Sequence, residues 1–206
     1  MSRLRFLLVF VALFQLIAVS RAAEADWVND VRQGGYVIVM RHGATYSNQA
    51  DTDPLNIKNV AAQRQLNELG RAQAKLMGES MHALKIPVGA VVTSMFQRAV
   101  ETGTLLGFGD VTSTFDVTEG GLVVTPDENA RRAQALRKLA GTPPPAGSNV
   151  VIVTHKPNIM DAFGKDWFDV REGEASVLKP DGQGGYKPLV RVQAGEWSAL
   201  VKTARD

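Results

Sequence analysis

Three short apolar runs, each ending at polar residues with chemistry in them, constrain this chain more than any other feature. Tyr36-Val37-Ile38-Val39-Met40 stops at Arg41-His42-Gly43, Val88 to Ser94 leads through Met95-Phe96-Gln97 to Arg98, and Asn149 to Thr154 stops at His155. Runs of β-branched and apolar residues without polar alternation read as strands buried on both faces. Helical patterns follow, and Pro157 occupies the favoured first helical position of the third. Strand-then-helix units of this kind predict a three-layer α/β/α sandwich around a mostly parallel sheet. Ligands of such sheets sit off the carboxyl ends of the strands, where Arg41, His42 and His155 fall. A guanidinium beside an imidazole suits an anion with an electrophilic centre.

The intervening sequence fills in the architecture. Asn67 is the N-cap of a helix that ends before Pro87, with Leu69, Ala72, Leu76, Met77 and Leu84 predicted on its core face and His82 on its surface. Arg98 falls in the first turn of the helix after the second strand, where unpaired backbone N–H groups already favour an anion. Val111 to Val117 reads as a strand that leaves through Thr118-Glu119-Gly120-Gly121, followed by a helix from Pro126 to Ala140 capped by Gly141. Arg131, Arg132, Arg137 and Lys138 are expected on its wet side. Runs 175–179 and 186–192 flank a Pro-Asp-Gly-Gln-Gly-Gly turn and predict an antiparallel hairpin at the sheet edge, preceded by Glu172 and Glu174 without an evident role.

Met1 to Ala22 has the form of a cleaved export signal: Arg3 and Arg5, an apolar stretch from Phe6 to Val19, then Ser20-Arg21-Ala22. Fourteen apolar residues fall short of the ~20 that span a bilayer, so no membrane span is expected after cleavage. The expected location is periplasmic or secreted. Without Arg3, Arg5 and Arg21, 23 basic residues become 20 against 21 acidic ones, so the basic balance belongs partly to the leader. No Lys/Arg run is dense enough to suggest nucleic acid. Residues 23–206 make one domain of ordinary size, with Ala23 to Arg32 as an arm docked by Trp27, Val28 and Val31. There is no cysteine, which excludes thiolate catalysis and Cys-ligated zinc.

Arg41-His42-Gly43-x-Thr45-x-x-Asn48 resembles the signature of the histidine phosphatase superfamily, the phosphoglycerate-mutase-like group. Gln63 to Ala74 is similar to that family's Leu-Thr-x-x-Gly-x-x-Gln-Ala helix start, with Asn67 in place of Thr. Ser94-x-x-x-Arg98-Ala99-x-Glu101-Thr102 resembles its second signature, and Thr154-His155 before a helix its later pocket histidine. The resemblance implies hydrolysis of a small phosphomonoester through a phosphohistidine, without metal or cofactor. His42 is then the nucleophile, with Arg41, Thr45, Asn48, Arg98 and His155 around the phosphate and Glu101 bracing Arg98 or nearby backbone. A mutase that returns its phosphate, and a non-catalytic anion-binding protein, are the alternatives.

An ester oxygen leaves readily only when protonated, so such a site needs a carboxylic acid opposite the nucleophile. One branch of the family carries an acid directly after the second His, but here that position is Lys156. The resemblance implies that the proton comes instead, as in the family's other branch, from a Glu between the second Arg and the second His; in that segment Asp116 belongs to a predicted strand, and Asp127 and Glu128 begin a helix. Glu119 stands at a strand end among glycines and is the expected proton donor. Asp51 and Asp53 lie in a polar loop, Gln49 to Asn56, placed over the site; metal binding, a grip on a substrate hydroxyl and turn capping are all open to them, with capping the first expectation. Neither this loop nor residues 119–126 name a substrate.

Overall fold

The computed structural model describes residues 27–120 and 123–204, and the expected leader lies outside the described residues. Six strands, β1 (Val37–Arg41), β2 (Val88–Ser94), β3 (Val111–Thr114), β4 (Asn149–Thr154), β5 (Ala175–Pro180) and β6 (Tyr186–Val192), form one sheet in the order β3-β2-β4-β1-β5-β6. The first four run parallel, and β5 and β6 add the antiparallel C-terminal edge. This is the α/β/α architecture that the sequence predicts.

The alternation along β1 shows why its run is apolar throughout. Ile38 and Met40 enter one core with α1 (Glu68–Ala83), α2 (Gln97–Leu105), α5 (Trp197–Thr203) and the helical residues 27–32. Val37 and Val39 enter the other, with α3 (Pro126–Ala140) and α4 (Lys156–Phe163). At about 1.5–3 kcal/mol per fully buried aliphatic side chain, Val37 to Met40 together contribute about 6–12 kcal/mol, comparable to the net stability of a whole domain. Trp27, Val28 and Val31 are buried in the first core, as the docked arm requires.

Several local expectations are corrected. The buried face of α1 is Gly70, Ala74, Met77, Gly78, Ser80 and Met81, while Leu69 and Leu76 are exposed. The helix packs through its glycines: a Cβ on Gly70 would stand 2.1 Å from Ala44 O, and one on Gly78 2.1 Å from Leu106 O. Small residues thus face inward and rotate the leucines out. Gly43 meets that same contact, with Gly70 O 2.8 Å from where its Cβ would be. Its bareness serves helix packing rather than space beside His42. β3 ends at Thr114, whose hydroxyl accepts from Asp116 N–H and turns Phe115–Val117 into a 3-10 helix. Arg132 is not on a wet face: it is buried, donating to Glu128 and to the carbonyl of Thr118.

Candidate active site

Three strand ends bring the site together. His42 follows β1, Ser94 closes β2 and His155 follows β4, and the two imidazoles lie with ring centroids 5.2 Å apart. Both are almost fully buried. The backbone N–H of His42 donates to Thr154 O, tying the ends of β1 and β4.

The tautomer of His42 follows from its partner. Nδ1 lies 2.8 Å from Gly43 O, and a carbonyl can only accept, so Nδ1 carries the proton and Nε2 keeps a free lone pair. Burial pushes the His42 pKa well below its ordinary value, and the nearby His155 and Arg98 push the same way. The ring is therefore neutral and held in one orientation at neutral pH. His155 is likewise held neutral, by burial first and then by Arg98, Arg64 and Arg41. Its Nε2 is 2.7 Å from Ser94 Oγ, and with a carboxylate facing Nδ1 the proton belongs on Nδ1, leaving Nε2 to accept from the Ser94 hydroxyl. The Nδ1 proton of His155 then faces Glu119 Oε1 at 3.3 Å, within ion-pair range but too poorly aligned for a hydrogen bond.

Arg98 is fully buried, in the first turn of α2 as predicted, with its guanidinium carbon 4.3 Å from the centre of the Phe96 ring. Nη1 donates to Asp51 Oδ1 at 3.0 Å and Nη2 to Glu119 Oε1. Arg41 Nη1 donates to Val170 O, and its Nη2 lies 3.4 Å from Glu172 Oε1. Burial lowers the pKa of Arg41, which still leaves it a cation. The Nε atoms of Arg41 and Arg98 are buried without a hydrogen-bond partner among the described residues. Two desolvated cations with donors to spare, beside a neutral imidazole, form an arrangement able to take an anion.

Glu119 is placed by the residue before it. Thr118 accepts from Met95 N–H through its hydroxyl, donates that hydroxyl to Thr114 O, and takes Arg132 and Asn158 on its carbonyl. Of the other expected residues, Thr45 is buried and donates to Glu172 Oε1 at 2.9 Å, whereas Asn48 is exposed in a turn. Asp116, the competing acid, pairs with Arg131 on the surface. Glu101 does not brace Arg98; it pairs with Arg71.

Four residues take roles at the site other than any the sequence assigned them. Asp51 is no turn cap: the oxygen that binds Arg98 also accepts from Arg64 N–H, which pins the 49–63 loop onto the pocket. Asp53 does brace a turn, by accepting from Asn59. Arg64 places a further positive charge near His155 and Arg41. Thr102 accepts from Gly43 N–H and donates to Arg98 O, joining the two motifs, and its spacing of one helical turn after Arg98 is a signal the sequence did offer. The fourth is Ser94, the partner of His155. Among the described residues, no group of three or more His, Cys, Asp and Glu side chains could hold a metal, and no helix is long and apolar enough to cross a membrane.

Fold and site define an α/β protein with two arginines and a second imidazole gathered around a buried, neutral histidine. Residues 37–120 match the model of the histidine phosphatase superfamily (branch 1), and that stretch carries both signatures. Among solved structures, it is similar to the protein histidine phosphatase SixA complexed with tungstate, at 20% identity and a TM-score of 0.55, over 78% of this chain and 98% of that one. A phosphoserine phosphatase from Entamoeba histolytica in complex with phosphoserine has 13% identity and a TM-score of 0.54, covering 77% and 97%. A mycobacterial glucosyl-3-phosphoglycerate phosphatase has 19% identity and a TM-score of 0.54, covering 75% and 97%. At these identities the likeness establishes a shared fold. No curated protein sequence matches the chain.

Proposed function

We propose that the protein is a phosphomonoester hydrolase working through a phosphohistidine on His42. The observation that carries this reading is the state of His42: buried and neutral, with Nδ1 bound to Gly43 O and the Nε2 lone pair free. The names of the phosphatases that share the fold support the same class.

Nε2 attacks phosphorus as the ester P–O bond breaks, and the departing oxygen takes a proton from the Glu119 carboxylic acid. Arg41 and Arg98 compensate the charge on the transferring group, and His155 donates to one of its oxygens. Water then attacks phosphorus and passes a proton to the Glu119 carboxylate. The P–N bond breaks, and phosphate leaves with His42 neutral again. The pocket residues set this chemistry but not the substrate, which the loops 49–63 and 119–126 select.

Brief incubation with a ³²P-labelled phosphomonoester followed by an alkaline quench tests the reading. The expected product is labelled protein, stable in alkali, labile in acid and absent from a His42→Ala variant. Turnover of an aryl phosphate by His42→Ala would refute it. An added alcohol acceptor that captured most of the phosphate would favour the mutase alternative.

A further inference from the structure

No motif marks residues 170–174, yet this turn holds Arg41 from both ends. Gly173 N–H donates to the carbonyls of Arg41 and His42, and Arg41 N–H donates to Glu174 O. At the tip of the side chain, Val170 O accepts from Nη1 and the Glu172 carboxylate lies beside Nη2. The same Glu172 oxygen accepts from Thr45 Oγ1.

From this geometry we infer that Glu172 is a positioning residue for phosphate recognition. Its carboxylate fixes the direction in which Arg41 presents its remaining N–H groups and locks Thr45 to the same frame. The inference rests on the phosphatase reading of the pocket. A guanidinium offers its donors in one rigid plane, so a rotation that moves them by about an ångström loses bidentate geometry without losing charge. Held at Nη1 by a carbonyl and at Nη2 by a carboxylate, Arg41 has that plane set by the turn.

The turn is itself anchored. The carboxylate of Glu174 has no solvent exposure and accepts from Arg171 N–H, Arg191 Nε and Gln193 Nε2. Arg191, on β6, also takes Asp169 and the carbonyl of Asp166. The antiparallel edge strand is thereby connected to the phosphate pocket: β6 holds Glu174, Glu174 holds the turn, and Glu172 on that turn aims Arg41. Both side chains keep some accessible surface, 28% for Glu172 and 19% for Arg41, so truncating Glu172 leaves the guanidinium to water and to the carbonyl of Val170.

Calorimetric binding of inorganic phosphate to the purified protein tests this without requiring turnover. Glu172→Ala should weaken phosphate binding about tenfold, a loss typical of a misaligned charge-assisted contact, with an unchanged melting temperature. Glu172→Gln keeps an oxygen for Thr45 and Arg41 and should stay within about threefold of the parent. In an Arg41→Gln background, Glu172→Ala should change affinity by less than about twofold, because its partner is gone. If alanine prevents folding, Glu172→Asp serves: it keeps the charge, loses reach, and should weaken binding about threefold or more. Parent-like or tighter binding by the Ala or Asp variant would overturn the inference, as would equal losses with and without Arg41. A parent protein that binds neither phosphate nor orthovanadate would instead overturn the phosphatase reading beneath it.

Discussion

Glu119→Gln gives two effects of opposite sign, and the structure sets the size of both. The variant keeps the side chain's shape but can neither protonate a leaving oxygen nor take a proton from water. Loss of a general acid costs about 10²–10⁴ in rate for an alkyl phosphate and little for para-nitrophenyl phosphate, whose leaving group needs no proton. Binding should move the other way. The Glu119 carboxylate touches both Arg98 and His155, so a phosphoryl oxygen beside Arg98 faces a like charge. At about 4 Å and an effective dielectric constant near 20, that repulsion reaches ~4 kcal/mol. With 19% of the Glu119 side chain exposed to screening solvent, about a third of it is a fair expectation, or roughly tenfold tighter binding of orthovanadate. Steady-state kinetics on the two ester types and vanadate inhibition constants read both effects. Equal rate losses on both substrates would remove Glu119 as the acid, and weaker vanadate binding would show that it helps hold the phosphate.

Three further outcomes are expected. His42 and His155 are buried with folded pKa values well below the unfolded value near 6.5, so acid adds protons to the unfolded chain first; stability should fall below about pH 6.5 by up to about 1.4 kcal/mol per pH unit per histidine, and urea midpoints that do not decline between pH 7 and 5.5 would contradict their neutral state. Glu174→Ala strands Arg191, Gln193 and Arg171 N–H around a buried site and should cost about 3 kcal/mol, or about 6–12 °C in melting temperature by calorimetry, with an unchanged melting temperature refuting the anchor role. The leader reading predicts a mature N-terminus near Ala23 outside the cytoplasm, which intact-mass measurement of the native protein checks; retention of residues 1–22 would overturn it.

Those parts of the site that a single sequence reveals are the ones encoded by neighbours. Arg41, His42, Arg98 and His155 each stand at or just beyond the end of an apolar run, so one local pattern predicts both the strand and the position of its polar terminus. Glu119 is legible from its glycine-flanked turn, although the strand predicted before it ends at Thr114. Asp51 and Glu172 are not, because their partners lie 47 and 127 residues away and the loops that carry them have no periodicity to read. The face of α1 was misread because hydrophobicity ranks leucine above glycine, while close helix contact at Ala44 and Leu106 selects for the absence of a side chain. Thr114 shortened β3 by offering the backbone a hydroxyl in place of the next ladder bond, a local competition that strand propensity does not register.

The balance of charge around the pocket bears on the proposed double role of Glu119 as partner of Arg98 and proton donor. Arg41 and Arg98 are met by Asp51, Glu119 and Glu172, while both buried histidines are neutral. A phosphoryl dianion entering this set competes with those carboxylates for Arg98 and Arg41. Asp51 is held by Arg64 N–H as well as by Arg98, and Glu172 by Thr45 as well as by Arg41, so each keeps a protein partner if its arginine turns to the phosphate. Glu119 has only Arg98 and the edge of a neutral imidazole. It is the carboxylate most easily displaced, and once displaced it stands next to the transferring group, where the proposed mechanism needs a proton donor. On the proposed mechanism, substrate binding therefore frees the side chain that serves the leaving oxygen.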